Sequence, residues 1–69
     1  MNANAERAER ANQVILAYQH ADGKDDTATV LIDLVADLMH FSDQQAIDWE
    51  IVVQRAMQHH AMEATEEDL

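Results

Sequence analysis

A single glycine, Gly23, and the absence of proline most constrain how this 69-residue chain can fold. Glycine and proline are the residues that most often interrupt helices, and alanine, which occurs twelve times, is the strongest helix former. The sequence therefore predicts an all-α fold with few breaks between long helices. Because there is no cysteine, neither a disulfide nor a cysteine-based zinc site can stabilise so small a domain.

The first predicted break surrounds Gly23. Glycine readily adopts the left-handed conformation that often follows the last residue of a helix, so a first helix is expected to end just before it. Asp25, Asp26 and Thr27 come directly after this point, and all three are suitable N-cap residues. A second helix is therefore expected to begin near residue 27.

The second predicted break lies between Ser42 and Asp48, where the apolar periodicity lapses. Ser42 and Gln45 have the spacing of a capping box, and Asp48 can cap a helix that begins at Trp49. The two breaks predict helices over about residues 4–20, 27–41 and 49–64, followed by an acidic tail over residues 65–69.

The second predicted helix carries more apolar surface than one neighbouring helix can cover. At about 100° per residue its apolar side chains occupy about 200° of the helix circumference, whereas packing on one neighbour needs a stripe of about 100°. The simplest completion is a second copy of the chain, so we expect a three-helix subunit that forms a homodimeric helical bundle. The predicted dimer interface consists of Leu31, Leu34, Val35, Leu38 and Met39.

The supply of core-forming residues also favours self-association. Twelve of the 33 hydrophobic residues are alanine, which leaves 21 larger apolar side chains. A small domain without disulfides or metals commonly needs association to bury enough apolar surface. Most of the apolar residues of the third predicted helix share one arc that we expect to be buried, with His60 at its centre: Trp49, Val52, Val53, Ala56, Met57 and Ala64.

The formal net charge of -10 is unevenly distributed along the chain. Residues 1–24 hold three acids and three bases, whereas residues 25–69 hold eleven acids and only one base, Arg55. Binding to phosphates or anionic lipids needs clustered lysine and arginine, so neither nucleic acid nor membrane is an expected partner. No apolar stretch is long enough for a bilayer span or a signal peptide, and we expect a cytoplasmic protein.

A metal site in the helical bundle remains an alternative. Asp37 and His40 are three residues apart on the second predicted helix, as are His60 and Glu63 on the third. A bundle that brings these four side chains together could bind a metal through imidazoles and carboxylates. The competing interpretation is that His40 interacts with the end of its helix and that His60 is a core histidine held by one hydrogen bond.

Nucleophilic catalysis and phosphate binding have little support in the sequence. No serine, threonine or tyrosine has a base and an orienting group at a suggestive spacing. One glycine cannot build a glycine-rich phosphate loop. We therefore expect a protein-interaction or regulatory module that is not an enzyme and needs no cofactor.

The acidic residues offer a further alternative function. On a common face they could imitate a phosphate backbone and inhibit a DNA- or RNA-binding protein, and electrostatic steering would make that binding fast and salt-sensitive. The simpler interpretation is that they keep a small dimer in solution. The predicted acidic face consists of Asp26, Asp33, Asp37, Asp43, Asp48 and Glu50.

Several short motifs stand between residues 30 and 63: residues 37–41 (Asp-Leu-Met-His-Phe), residues 47–49 (Ile-Asp-Trp), Ala56 and the pair His59-His60. Together they resemble the motifs of a group of small all-helical proteins carried on bacterial plasmids, integrative elements and prophages. Relatives often have a glycine before the Asp-aromatic pair, where this chain has Ala46. The resemblance implies a mobile-element setting, in which small acidic proteins that block host nucleic-acid machinery occur.

Overall fold

Three α-helices make up almost all of the chain that the computed structural model describes, residues 3–67. This arrangement confirms the all-α class. Each helix begins within one residue of its predicted start and ends two or three residues later than predicted. The helices are α1 (Ala3–Asp22), α2 (Thr27–Gln44) and α3 (Trp49–Glu67). Of the predicted tail, residues 65–67 belong to α3, whereas residues 68 and 69 lie outside the described residues.

The turn between α1 and α2 has the predicted caps. Gly23 adopts a φ of 78°, and its N–H donates to the carbonyl of Gln19 at 2.8 Å, which closes the last turn of α1. Asp26 is the N-cap of α2, because its carboxylate accepts hydrogen bonds from the Thr29 hydroxyl at 2.7 Å and the Thr29 N–H at 3.0 Å. These bonds, the one from the hydroxyl foremost, lower the pKa of Asp26.

The turn between α2 and α3 differs from the prediction in part. Ser42 does not cap a helix, because α2 continues to Gln44 and Ser42 is buried within its last turns. Its carbonyl instead accepts the N–H of Ile47 at 2.9 Å, while the N–H of Ala46 donates to the carbonyl of Asp43 at 3.3 Å. This is the hydrogen-bond pattern of a Schellman motif, which requires a left-handed residue after the helix.

Ala46 is that left-handed residue, with a φ of 57°. Glycine is favoured at this position because a Cβ atom is strained in the left-handed conformation. The helix that follows begins as predicted, since the carboxylate of Asp48 accepts the N–H of Glu50 at 3.0 Å. The turn therefore combines a strained residue after the end of α2, Ala46, with a well-capped start of α3.

The helices spread out instead of closing around a core. The Cα atoms extend over 38 × 29 × 16 Å, and their radius of gyration is 13.9 Å, compared with about 11 Å for a compact domain of this length. Among the described residues, Val30 is the only buried apolar side chain. The accessible surface of the chain is 5716 Å², whereas a compact monomer of this mass exposes about 4,400 Å².

Polar contacts fasten α1 to the other two helices. Near the end of α1, the Tyr18 hydroxyl donates to Asp37 at 2.5 Å, and Lys24 forms an ion pair with Asp33 at 2.8 Å. Near its start, Arg7 pairs with the Glu63 carboxylate at 3.3 Å. We call this set of contacts the polar seam; it comprises Asn4, Arg7, Tyr18, Lys24, Asp33, Asp37 and Glu63.

Candidate functional site

The most extensive candidate site on α2 is an apolar strip that no other helix covers. At about 100° per residue its side chains span an arc of about 120°, the width that a helix buries against one neighbour. We call this strip the α2 ridge; its members and exposed fractions are Leu31 (47%), Ile32 (67%), Val35 (38%), Leu38 (41%) and Met39 (43%). Four of the five predicted interface residues belong to it.

Leu34 is the predicted interface residue that the structure places elsewhere. It is half-buried, on the side of α2 that also carries the fully buried Val30. Ile32, which the prediction omitted, is the most exposed residue of the α2 ridge. Because Val30 and Leu34 are on the covered side of α2, the exposed arc is shifted around the helix from Leu34 toward Ile32.

The ridge is uncovered because α1 packs on the opposite, polar side of α2. We expected Asp33 and Asp37 to belong to an acidic face that meets a partner or keeps the dimer in solution. Instead Asp33 and Asp37 accept bonds from Lys24 and Tyr18, which orients α1 toward the carboxylates. Hydrogen bonding to Asp37 raises the pKa of Tyr18, since the carboxylate favours the protonated hydroxyl.

A second apolar surface lies along α3. Trp49 and Val53 are half-buried, while Met57 is 67% exposed, and these three side chains border two open concavities of about 650 and 530 Å³. We call this surface the α3 groove. Further along the helix, Ala61 and His60 line the smaller concavity.

A single subunit leaves open the α3 arc that we expected to be buried. Within one subunit Val52, Ala56, Met57 and His60 are exposed. Trp49, Val53 and Ala64 are only half-buried. Within the subunit His60 is therefore not a core histidine, because it is exposed and lines an open concavity.

The four candidate metal ligands are not brought together in the subunit. Asp37 accepts the Tyr18 hydroxyl and Glu63 pairs with Arg7, while His40 and His60 are exposed on different helices. Within residues 3–67 no three histidine or acidic side chains are grouped so that they could hold a metal ion.

The predicted acidic face divides into two groups. Asp26, Asp33 and Asp37 lie on α2 and take part in a helix cap or the polar seam. The other three lie around the turn into α3, where Asp48 caps the helix: Asp43, Asp48 and Glu50. Because four of the six carboxylates accept intramolecular hydrogen bonds, most of this charge is used to hold the subunit together.

A close carboxyl pair lies beside the polar seam. Burial raises the pKa of Asp22, and a hydrogen bond with Asp33 raises it further. The ion pair with Lys24, in contrast, lowers the pKa of Asp33. One oxygen of Asp22, Oδ2, is buried without a hydrogen-bond partner, so this corner of the subunit has unfavourable electrostatics when Asp22 is ionised.

No family model, curated protein or solved structure matches this chain. Among the described residues, none of the three helices is long and apolar enough to cross a membrane.

Proposed function

We propose that this chain is a non-catalytic protein-interaction or regulatory module whose working unit is a homodimer formed through the α2 ridge. The observation that carries the proposal is a contrast within residues 3–67: one apolar residue, Val30, is buried, whereas thirteen large apolar residues are 38–67% exposed. A chain of this composition gains little from folding unless such side chains leave water.

The excess surface has the size of a protein interface. The subunit exposes about 1,300 Å² more than a compact monomer of its mass. A stable complex buries about 800 Å² per partner, and obligate homodimers bury about 1,000–2,500 Å² per partner. The surface that needs covering is therefore the amount that one copy of the chain can cover.

The polar seam supports the same proposal because it contributes little stability. Its two ion pairs join side chains that are 29–53% exposed, and exposed pairs of this kind contribute about 0–1 kcal/mol each. The folded subunit therefore depends on burial of the α2 ridge. The ridge contains only aliphatic and thioether side chains, so we assign it a role in binding and no reaction.

A matched pair of leucine substitutions tests the proposal. Leu38→Asp places a charge in the α2 ridge and should abolish the dimer, because an unpaired charge cannot be buried there. Leu16→Asp makes the same change on α1, at a residue that is 56% exposed and outside the ridge, and should leave the dimer intact. Light scattering after size exclusion measures both, and a dimeric Leu38→Asp variant would refute the proposal.

A further inference from the structure

We infer that the α3 groove is the second half of the dimer interface and that the α2 ridge of the other copy occupies it. This inference rests on the proposed homodimer and assigns its contact surfaces. In it, Trp49, Val53 and Met57 of each subunit pack around Val35 and Leu38 of the other.

The α2 ridge alone is too small to hold two subunits together. From Leu31 to Met39 it extends over about 12 Å at 1.5 Å per residue, and a helix is only about 10 Å wide. A contact of this size falls well short of about 800 Å² per partner. A stable homodimer must therefore cover further apolar surface, and the α3 groove is a second such surface among the described residues, with Met57 67% and Val52 39% exposed.

The two surfaces also have complementary shapes. The ridge is a row of branched and thioether side chains that stand out from α2 with helical spacing. The groove consists of two open depressions that flank the row of Trp49, Val53 and Met57, and the larger depression is also bordered by Asp48 and Glu50. Helices pack by placing such rows into grooves of this kind. A single subunit leaves both surfaces open, since its α1 occupies the polar side of α2.

Two-fold symmetry explains why a second copy is the occupant. Each subunit has one ridge and one groove, so a two-fold axis forms the ridge-to-groove contact twice and leaves neither surface uncovered. The excess of about 1,300 Å² per subunit is larger than the area of about 800 Å² that a stable complex buries per partner, which leaves room for both contacts. A partner that carries only one matching surface would cover the ridge or the groove and leave the other exposed.

Trp49 allows a direct measurement because it is the only tryptophan. In the wild-type chain we expect its emission to shift to shorter wavelength, and its quenching by acrylamide to fall, as rising concentration converts monomer to dimer. Light scattering on the same samples gives the oligomeric state. A dimer whose Trp49 emission and quenching equal those of the monomer overturns the inference but leaves the proposed function standing, whereas a chain that stays monomeric overturns both.

Crosslinking tests which surfaces meet. Because the chain has no cysteine, Val35→Cys and Met57→Cys chains can each carry one unique thiol. When the two variants are mixed, refolded together and treated with a short bifunctional maleimide, we expect a covalent dimer that contains one chain of each kind. A mass tag on one variant identifies this product.

Each variant alone, and Leu16→Cys mixed with Met57→Cys, are the controls. Little covalent dimer should form in any of these controls. Val35→Cys alone has no thiol in the groove, and the other two controls have no thiol on the ridge. Crosslinking that is strongest with Val35→Cys alone or Met57→Cys alone would show that like surfaces meet and would overturn the inference. Equal crosslinking of the Leu16→Cys mixture would overturn it as well.

Discussion

The seam carboxylates Asp33 and Asp37 and the α2 ridge lie on opposite sides of the same helix and illustrate two different contributions to folding. On one side Tyr18 and Lys24 bond to Asp37 and Asp33 at 2.5 and 2.8 Å. On the other side Leu31, Val35 and Leu38 have no covering helix and are 38–47% exposed. The seam has directional contacts with little buried area, whereas the ridge has apolar area with no partner in the subunit.

This difference separates the orientation of the helices from the stability of the fold. Hydrogen bonds and ion pairs define where α1 lies, because they depend on angle and distance, but exposed pairs contribute little free energy. Apolar burial is not directional and supplies most of the stability. In this molecule the polar contacts within one subunit determine the orientation of α1. We propose that most of the stability comes from apolar burial against the second subunit.

The largest expected effect is that of Leu31→Ala in the α2 ridge. If Leu31 is buried in a dimer, its truncation should cost about 2–5 kcal/mol per subunit in the free energy of unfolding. An exposed leucine would lose no more than about 0.5 kcal/mol. Urea denaturation at several protein concentrations measures the cost, and a loss at the lower value would contradict burial of the ridge.

Tyr18→Phe is the corresponding change in the polar seam. It removes the hydroxyl that donates to Asp37 and keeps the ring. We expect a smaller loss of stability than for Leu31→Ala and an unchanged oligomeric state, since the contact is exposed. A loss as large as that of Leu31→Ala would show that the seam, and not the ridge, stabilises the fold.

Ala46→Gly, in the turn between α2 and α3, should stabilise the fold without changing any residue of the α2 ridge. The left-handed conformation of Ala46 costs an L-residue about 1–2 kcal/mol, and the greater freedom of glycine in the unfolded chain offsets part of the gain, so we expect about 0.5–1 kcal/mol. Thermal denaturation measures it. Ala36→Gly, in the middle of α2, is the control and should lower the stability by about 1 kcal/mol.

The smallest expected effect is that of Asp22→Asn beside the polar seam. Because the pKa of Asp22 is raised above 3.8 in the folded chain, its ionisation destabilises the fold at neutral pH; the stability that its protonated form provides is lost as the pH rises through the raised pKa. Asparagine cannot ionise, so the variant should melt slightly higher than the wild type at pH 7.

At pH 3.5 this difference should be smaller, because Asp22 is then mostly protonated in both the folded and the unfolded chain. Asp26 and Asp33 behave oppositely, since their pKa values are lowered and their stabilisation is lost as the pH falls through the lowered values. Melting temperatures of both proteins at pH 7 and pH 3.5 provide the test. An equal difference at the two pH values would contradict the assignment to Asp22.

The local structure followed from the sequence because its causes are local. Gly23, Asp26 and Asp48 act within one helical turn, so each helix could be placed to within a few residues. The Schellman turn was missed because Ala46 takes a conformation that glycine favours, and Ser42 was read as a cap. The hydrogen bond from the Ile47 N–H to the Ser42 carbonyl joins backbone atoms, so the types of these two residues do not predict it.

The arrangement of the helices was predicted less well. The wide apolar arc of α2 was visible in the sequence, as were four of the ridge residues, but the position of α1 on the polar side of α2 was not. Tyr18 and Lys24 were the available signal for a polar contact with Asp33 and Asp37. Since apolar periodicity shows which residues prefer burial but not which neighbour buries them, the polar seam could not be derived from it.

The mass of the wild-type chain in solution tests the central claim most directly. Size exclusion with light scattering at tens of micromolar should give twice the 7.8 kDa mass of one chain, with dissociation only on dilution. A folded, stable species of 7.8 kDa at that concentration would contradict the homodimer and the roles assigned to both the α2 ridge and the α3 groove.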